Sequence, residues 1–123
     1  MQKNVLVSGN CNIDHPKIEK LLLDNFNVSV NRAKTNKDAM SMLKKNKYEL
    51  VLVNRVGAFD SELGIEIIDF IKKTIKIQDT PVMLLTNHDN YMKESASHGA
   101  VQGFGKSSLE EKSTINTLKK YLS

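Results

Sequence analysis

The segment YELVLVNRVG, residues 48–57, carries four consecutive apolar residues, Leu50 to Val53, followed at once by an amide, Asn54, and a charge, Arg55. An apolar run of that length predicts a strand buried on both faces, the pattern of a parallel sheet rather than of a sheet with one wet side. The polar residue that ends it then lies at the carboxyl edge of the sheet, where doubly wound α/β proteins keep ligands and chemistry. Asn54 is either a working residue there or the trace of one that was replaced.

Outward from this strand the same alternation recurs. NVLVSG (4–9), NVSVNR (27–32), TPVMLLT (80–86) and AVQGFG (100–105) read as further strands, and the segments between them place apolar residues at helical spacing, as in Ile18, Leu21, Leu22 and in Ile65, Ile68, Ile71. Five strands alternating with five helices predict a doubly wound parallel sheet covered on both faces. Asp14 with Pro16 marks the start of the first helix, and Gly99 closes the fourth. Ser108 and Glu111 stand in capping-box spacing ahead of Ile115, Leu118 and Leu122.

Bulk properties narrow the class. At 123 residues, 40% hydrophobic and 26% charged, the chain is expected to be a single globular domain, 1–123, with no linker, repeat or disordered segment. It starts at Met1 without an apolar leader, and its apolar runs are strand-length rather than the roughly 20 residues of a membrane span, so a cytoplasmic location is expected. The single cysteine, Cys11, excludes an internal disulfide and a thiolate metal cluster and reads as a small loop residue. The net charge of +4 includes lysine pairs at 44–45, 72–73 and 119–120, on three different predicted helices and without interleaved aromatics. Solvated helix faces account for them better than a nucleic-acid footprint.

The residues expected at the carboxyl edge are Ser8, Gly9 and Asn10 after the first strand, Asn54 and Arg55 after the third, Thr86, Asn87 and His88 after the fourth, and Lys106 after the fifth. Ser8-Gly9-Asn10 lacks both phosphate-loop patterns. His15, His88 and His98 fall at separate element ends, without the spacing of metal ligands. Met40, Met42 and Met83 read as core fillers. No nucleophile stands beside a base, so an enzyme is not expected. Arg55 and Phe59 pair a cation with an aromatic in an exposed loop, the composition that interfaces favour.

In their order and spacing, PVMLLT, NYMKESASHGA and VQGFGK resemble the last third of the receiver domain of bacterial two-component response regulators, and LGIEIIDFIKK and NKDAMSML resemble its third and second helices. The resemblance spans residues 1 to about 122 and implies a flavodoxin-like sheet of order 2-1-3-4-5. Receivers take a phosphoryl group on an aspartate ending the third strand, with Mg²⁺ held by that aspartate and by an acidic pair after the first. Carried over, Thr86 and Lys106 match the phosphoryl-binding pair. The acceptor position is Asn54, and the acidic pair falls on Ser8 and Gly9 or, one register later, on Gly9 and Asn10.

Neither register leaves a carboxylate. A carboxamide forms no acyl phosphate, and Mg²⁺ requires carboxylate oxygens, so no metal or other cofactor is expected. The switch aromatic three residues before the lysine is Gly103, with Phe104 beside it; the loop from Asn54 to Gly64 is longer than the usual pattern and has no proline. The expectation is therefore a phosphorylation-independent pseudo-receiver that binds a signalling protein or a second copy of itself. Its candidate partner face is the one receivers commonly use, here Tyr91, Lys93, Glu94, Phe104, Lys112 and Lys119. The alternative is a sensor of a small molecule or an anion at Thr86 and Lys106, where a lysine without motif acids either turns outward or finds a partner, such as Asp14, Asp60 or Asp89. Asn54 itself reads either as a polar cap bonded to the neighbouring loop or as a ligand contact.

Overall fold

The computed structural model describes residues 2–123. Five strands, β1 (Lys3–Ser8), β2 (Val28–Ala33), β3 (Leu50–Asn54), β4 (Val82–Leu85) and β5 (Val101–Phe104), alternate with α1 (Asp14–Asn25), α2 (Asn36–Lys45), α3 (Gly64–Lys73), α4 (Asp89–Ser97) and α5 (Lys112–Leu122). All strand pairs are parallel, in the order β2-β1-β3-β4-β5. The sheet is parallel, as the alternation predicts, and has the flavodoxin-like order that the resemblance implies.

Strand alternation sorts the core into two layers. Val5, Val7, Leu50, Leu52, Met83 and Leu85 face Ile18 and Leu22 of α1 and Leu118 and Leu122 of α5. Leu6, Val51, Val53, Val82 and Leu84 face Leu43 of α2 and Ile67, Ile68 and Ile71 of α3. Leu50, Val51, Leu52 and Val53 are each 0% exposed, so the apolar run at 50–53 is the centre of both layers. Burial of each such side chain contributes about 1.5–3 kcal/mol. Met83 is fully buried, while Met40 and Met42 pack at the rim.

Two helix ends show how local chemistry sets the boundaries. Gly99 takes a left-handed φ of +106°, and the amides of Gly99 and Ala100 return to the carbonyls of Ala96 and Ser95, closing α4 with a paired C-terminal motif. At α5 the expected capping box does not form. Ser108 is drawn into a 3-10 turn, Lys106–Ser108, and its carbonyl, not its hydroxyl, accepts from Glu111 N (3.1 Å) and Thr114 Oγ1 (2.6 Å). The helix therefore starts four residues beyond Ser108, at Lys112, with no side-chain cap.

β5 departs from regular alternation. Met83 pairs with Val101 and Leu85 with Phe104, so β5 carries one extra residue, a bulge at Gln102–Gly103. A Cβ on Gly103 would lie 2.3 Å from the Leu84 carbonyl oxygen, which leaves glycine as the residue that fits. The bulge turns Phe104 to the same face as Val101, into the layer beneath α1 and α5.

Candidate functional site

The carboxyl edge brings Asn54, Thr86 and Lys106 together. With Arg55, Val56, Leu85, Asn87 and His88 they line a shallow cavity of about 260 Å³. Ser8 and Gly9 do not line it. Ser8 is 1% exposed and sits on the Leu6 face of β1, and Gly9 is covered by the loop that follows β3.

That loop is folded, not loose. Val56 and Leu63 form an antiparallel bridge, Gly57 N donates to Glu62 O (2.8 Å), Gly64 N donates to Arg55 O (2.9 Å), and Ser61 supplies the left-handed turn residue at φ 58°. Asp60 ties the small hairpin to the rest of the molecule. One carboxylate oxygen accepts from Glu62 N (3.0 Å), and the other accepts from Asn36 N (2.8 Å) at the first turn of α2, where negative charge is favoured. Asn36 completes the tie by donating through Nδ2 to Leu63 O and to Glu66 Oε2.

The hairpin seats on the end of β1. Ala58 N donates to Gly9 O (2.9 Å), and a Cβ on Gly9 would lie 3.3 Å from Asn54 Cβ and 3.5 Å from Gly57 Cα. Asn54 joins the two from below, its Nδ2 donating to Gly9 O (3.2 Å) and to Val56 O (2.8 Å). Both partners are carbonyls, so the amide must present its NH₂ to them; a carboxylate has no proton to offer at neutral pH. Asn54 is the cap bonded to the neighbouring loop. The space between residue 54 and the end of β1 is filled by backbone, with donors where a cation would require acceptors. The residues present do not fit Mg²⁺: no carboxylate stands at 8, 9, 10 or 54, and Gly9 O is already taken by two donors.

Across β4 the other half of the edge stays open. Thr86 Oγ1 accepts from His88 N (3.2 Å), as a satisfied loop hydroxyl. Lys106 has a partner: its Nζ lies 2.9 Å from Asp14 Oδ2, both side chains being about two-thirds buried or more. The Lys106 ammonium holds the Asp14 carboxyl below the usual carboxylate range. The lone positive charge expected in the pocket is thus neutralised by an acid from the first turn of α1, outside the motif. Asp60 is committed to the hairpin, and Asp89 to neither role.

The expected partner face is corrected at one position. Phe104 is 6% exposed, because the β5 bulge turns it into the core. Lys93, Glu94, Lys112 and Lys119 are exposed; Tyr91 is half-buried, with the Arg55 guanidinium 4.0 Å from its ring centroid and His88 at its edge. Arg55 is therefore engaged within the chain, while Phe59 stays 47% exposed between Arg32 and Lys34. Sequence reading missed Gly57 and Asn36. A Cβ on Gly57 would meet the Asp60 carboxylate at 2.1 Å, a constraint that a G-x-x-D spacing hints at only once the hairpin is known.

Solved structures share this architecture from end to end. The chemotaxis response regulator CheY4 of Vibrio cholerae superposes with a TM-score of 0.79 at 17% identity, over 99% of this chain and 100% of that one. A response-regulator candidate of Chloroflexus aurantiacus gives a TM-score of 0.87 at 15% identity over 98% of each chain. The receiver domain of the Francisella response regulator 1452 gives 0.74 at 18% identity, over 97% of this chain and 98% of that one. The chain has the fold of response-regulator receiver domains. No protein-family model matches the sequence, and no curated protein matches it.

Proposed function

We propose that this chain is a pseudo-receiver: a non-enzymatic, cytoplasmic module of bacterial signalling that works through protein contact and without aspartyl phosphorylation. The observation that supports it above all is the Asn54 amide, donating to Gly9 O and Val56 O beneath a hairpin that fills the metal side of the pocket. In this reading the amide and the hairpin take the place that the acidic cluster occupies in a receiver. No helix among the described residues is long and apolar enough to cross a membrane.

Incubation with acetyl phosphate and Mg²⁺, followed by intact mass, tests the reading. The expected result is no phosphoryl adduct under conditions that label an ordinary receiver; one added phosphoryl group overturns it. The sensor alternative requires Lys106 to leave Asp14 for an anion. Sulfate is expected to raise the melting temperature of wild type and Lys106→Met equally, through general exclusion from the surface. A gain confined to wild type moves the function to anion sensing.

A further inference from the structure

The largest concentration of unpaired charge lies at the opposite end of the sheet, below the amino ends of β3 and β4. There the α2–β3 connection, the α3–β4 connection and the end of α5 enclose a cleft of about 630 Å³. Lys44, Lys45, Lys47, Lys76 and Lys120 line it. All five are exposed, and among the described residues none is in a salt bridge. Two carboxylates, Glu49 and Asp79, share the cleft, and Glu49 already accepts from Asn4 N (3.0 Å). The cleft thus holds a net excess of three positive charges in a chain whose total is +4.

Helix ends explain part of this. Lys44, Lys45 and Lys120 sit in the last turns of α2 and α5, where cations complement the helix dipole. Lys47 and Lys76 belong to no helix, yet they converge on the same cleft, and the dipole does not account for them. The floor is apolar, with Leu43 and Tyr48 buried and Ile77, Pro81 and Tyr121 half-buried. An apolar floor under a ring of cations is complementary to a chain segment that alternates acidic with apolar side chains.

We propose that this cleft is a docking site for an acidic, partly apolar peptide segment of a partner protein. Nucleic acid fits it less well. Tyr48 is 4% exposed and Tyr121 is half-buried, so neither ring is a platform for a base, and the two carboxylates oppose a continuous run of phosphates. The site is independent of the phosphoacceptor position and of any switch there.

The test uses the full chain and a fluorescein-labelled decapeptide of alternating glutamate and leucine, read by fluorescence anisotropy and by amide chemical shifts. Binding is expected to weaken with salt and to shift amides within 43–49, 76–81 and 120–121. Lys47→Glu with Lys76→Glu should weaken it at least tenfold, while Lys17→Glu with Lys37→Glu, an equal charge change elsewhere, should leave it within twofold. If the first pair unfolds the chain, Lys47→Gln with Lys76→Gln replaces it, with a several-fold loss expected. Absence of peptide binding, equal loss in both reversal pairs, or shifts outside the cleft overturn the proposal. So does an oligothymidine dodecamer that binds more tightly than the peptide and loses affinity with the same pair, which assigns the cleft to nucleic acid.

Discussion

The two halves of the carboxyl edge, neither of which carries a carboxylate at 8, 9, 10 or 54, satisfy their polar groups in different ways. On the β1–β3 side a hairpin, an amide and two glycines bring backbone into the space. On the β4–β5 side Thr86 and Lys106 find their partners in His88 N and in Asp14. A buried or half-buried polar group needs a partner, and the source differs with reach. A lysine on a long stem can find a carboxylate on another helix. A strand-end amide must have its partners brought to it, and the hairpin brings them.

This contrast makes the closed half brittle and the open half tolerant. The largest effect is expected from Gly9→Asp combined with Asn54→Asp. A carboxylate at 54 loses two donors and faces two carbonyl oxygens, for about 1–3 kcal/mol. A side chain at Gly9 must hold a φ of +85°, for about 1–2 kcal/mol more. Urea unfolding should show a loss of about 3–4 kcal/mol that millimolar Mg²⁺ does not repair. Stabilisation of the double variant by Mg²⁺ would mean that the hairpin yields and the two halves are equally open.

An intermediate effect is expected from Asp60→Ala, which removes the shared acceptor of Asn36 N and Glu62 N and should cost about 1–2 kcal/mol, as loss of a helix cap does. Faster hydrogen exchange at Ala58 and Gly57 should accompany it. Unchanged exchange there would show that β1, and not α2, holds the hairpin down.

The smallest effect belongs to the open half. Asp14 has a folded pKa below its ordinary value because Lys106 bonds it, so its contribution is present above the unfolded value and is lost as pH falls through the folded one. Wild type should exceed Lys106→Met by about 1 kcal/mol or less at neutral pH, given the partial exposure of both groups. Chemical denaturation at stepped pH should show the gap closing below about pH 4, the ordinary carboxylate range. A gap that widens in acid would contradict the pairing.

The parallel sheet and the position of Asn54, Thr86 and Lys106 at its carboxyl edge were legible because apolar runs bounded by polar residues have one economical arrangement, whereas the strand order came from the resemblance to receiver domains. That no carboxylate stands at 8, 9, 10 or 54 was also legible, since it needs no coordinates. What could not be read was long-range pairing. Asp14 and Lys106 are 92 residues apart, and nothing local favours Asp14 over Asp60 or Asp89. Phe104 was misplaced because a bulge adds one residue to the count, and alternation carries no mark of where the count slips. Ser108 and Glu111 had the right spacing for a cap, but the 3-10 turn consumed the serine first.

The Asn54 clamp also acts as a ratchet on sequence change. Restoring an aspartate at 54 first breaks bonds to Gly9 and Val56; restoring one at 9 first forces an L-residue into a left-handed turn; and neither gains a metal until the hairpin over them has been remodelled. Each single change toward an acidic site therefore begins with a loss of about 1–3 kcal/mol, a sizeable fraction of the 5–15 kcal/mol that a domain has to spare. On the proposed reading, an acidic site at 9 and 54 would therefore need a change in residues 55–63 that lifts the hairpin first, whereas Thr86 and Lys106 lie outside that constraint.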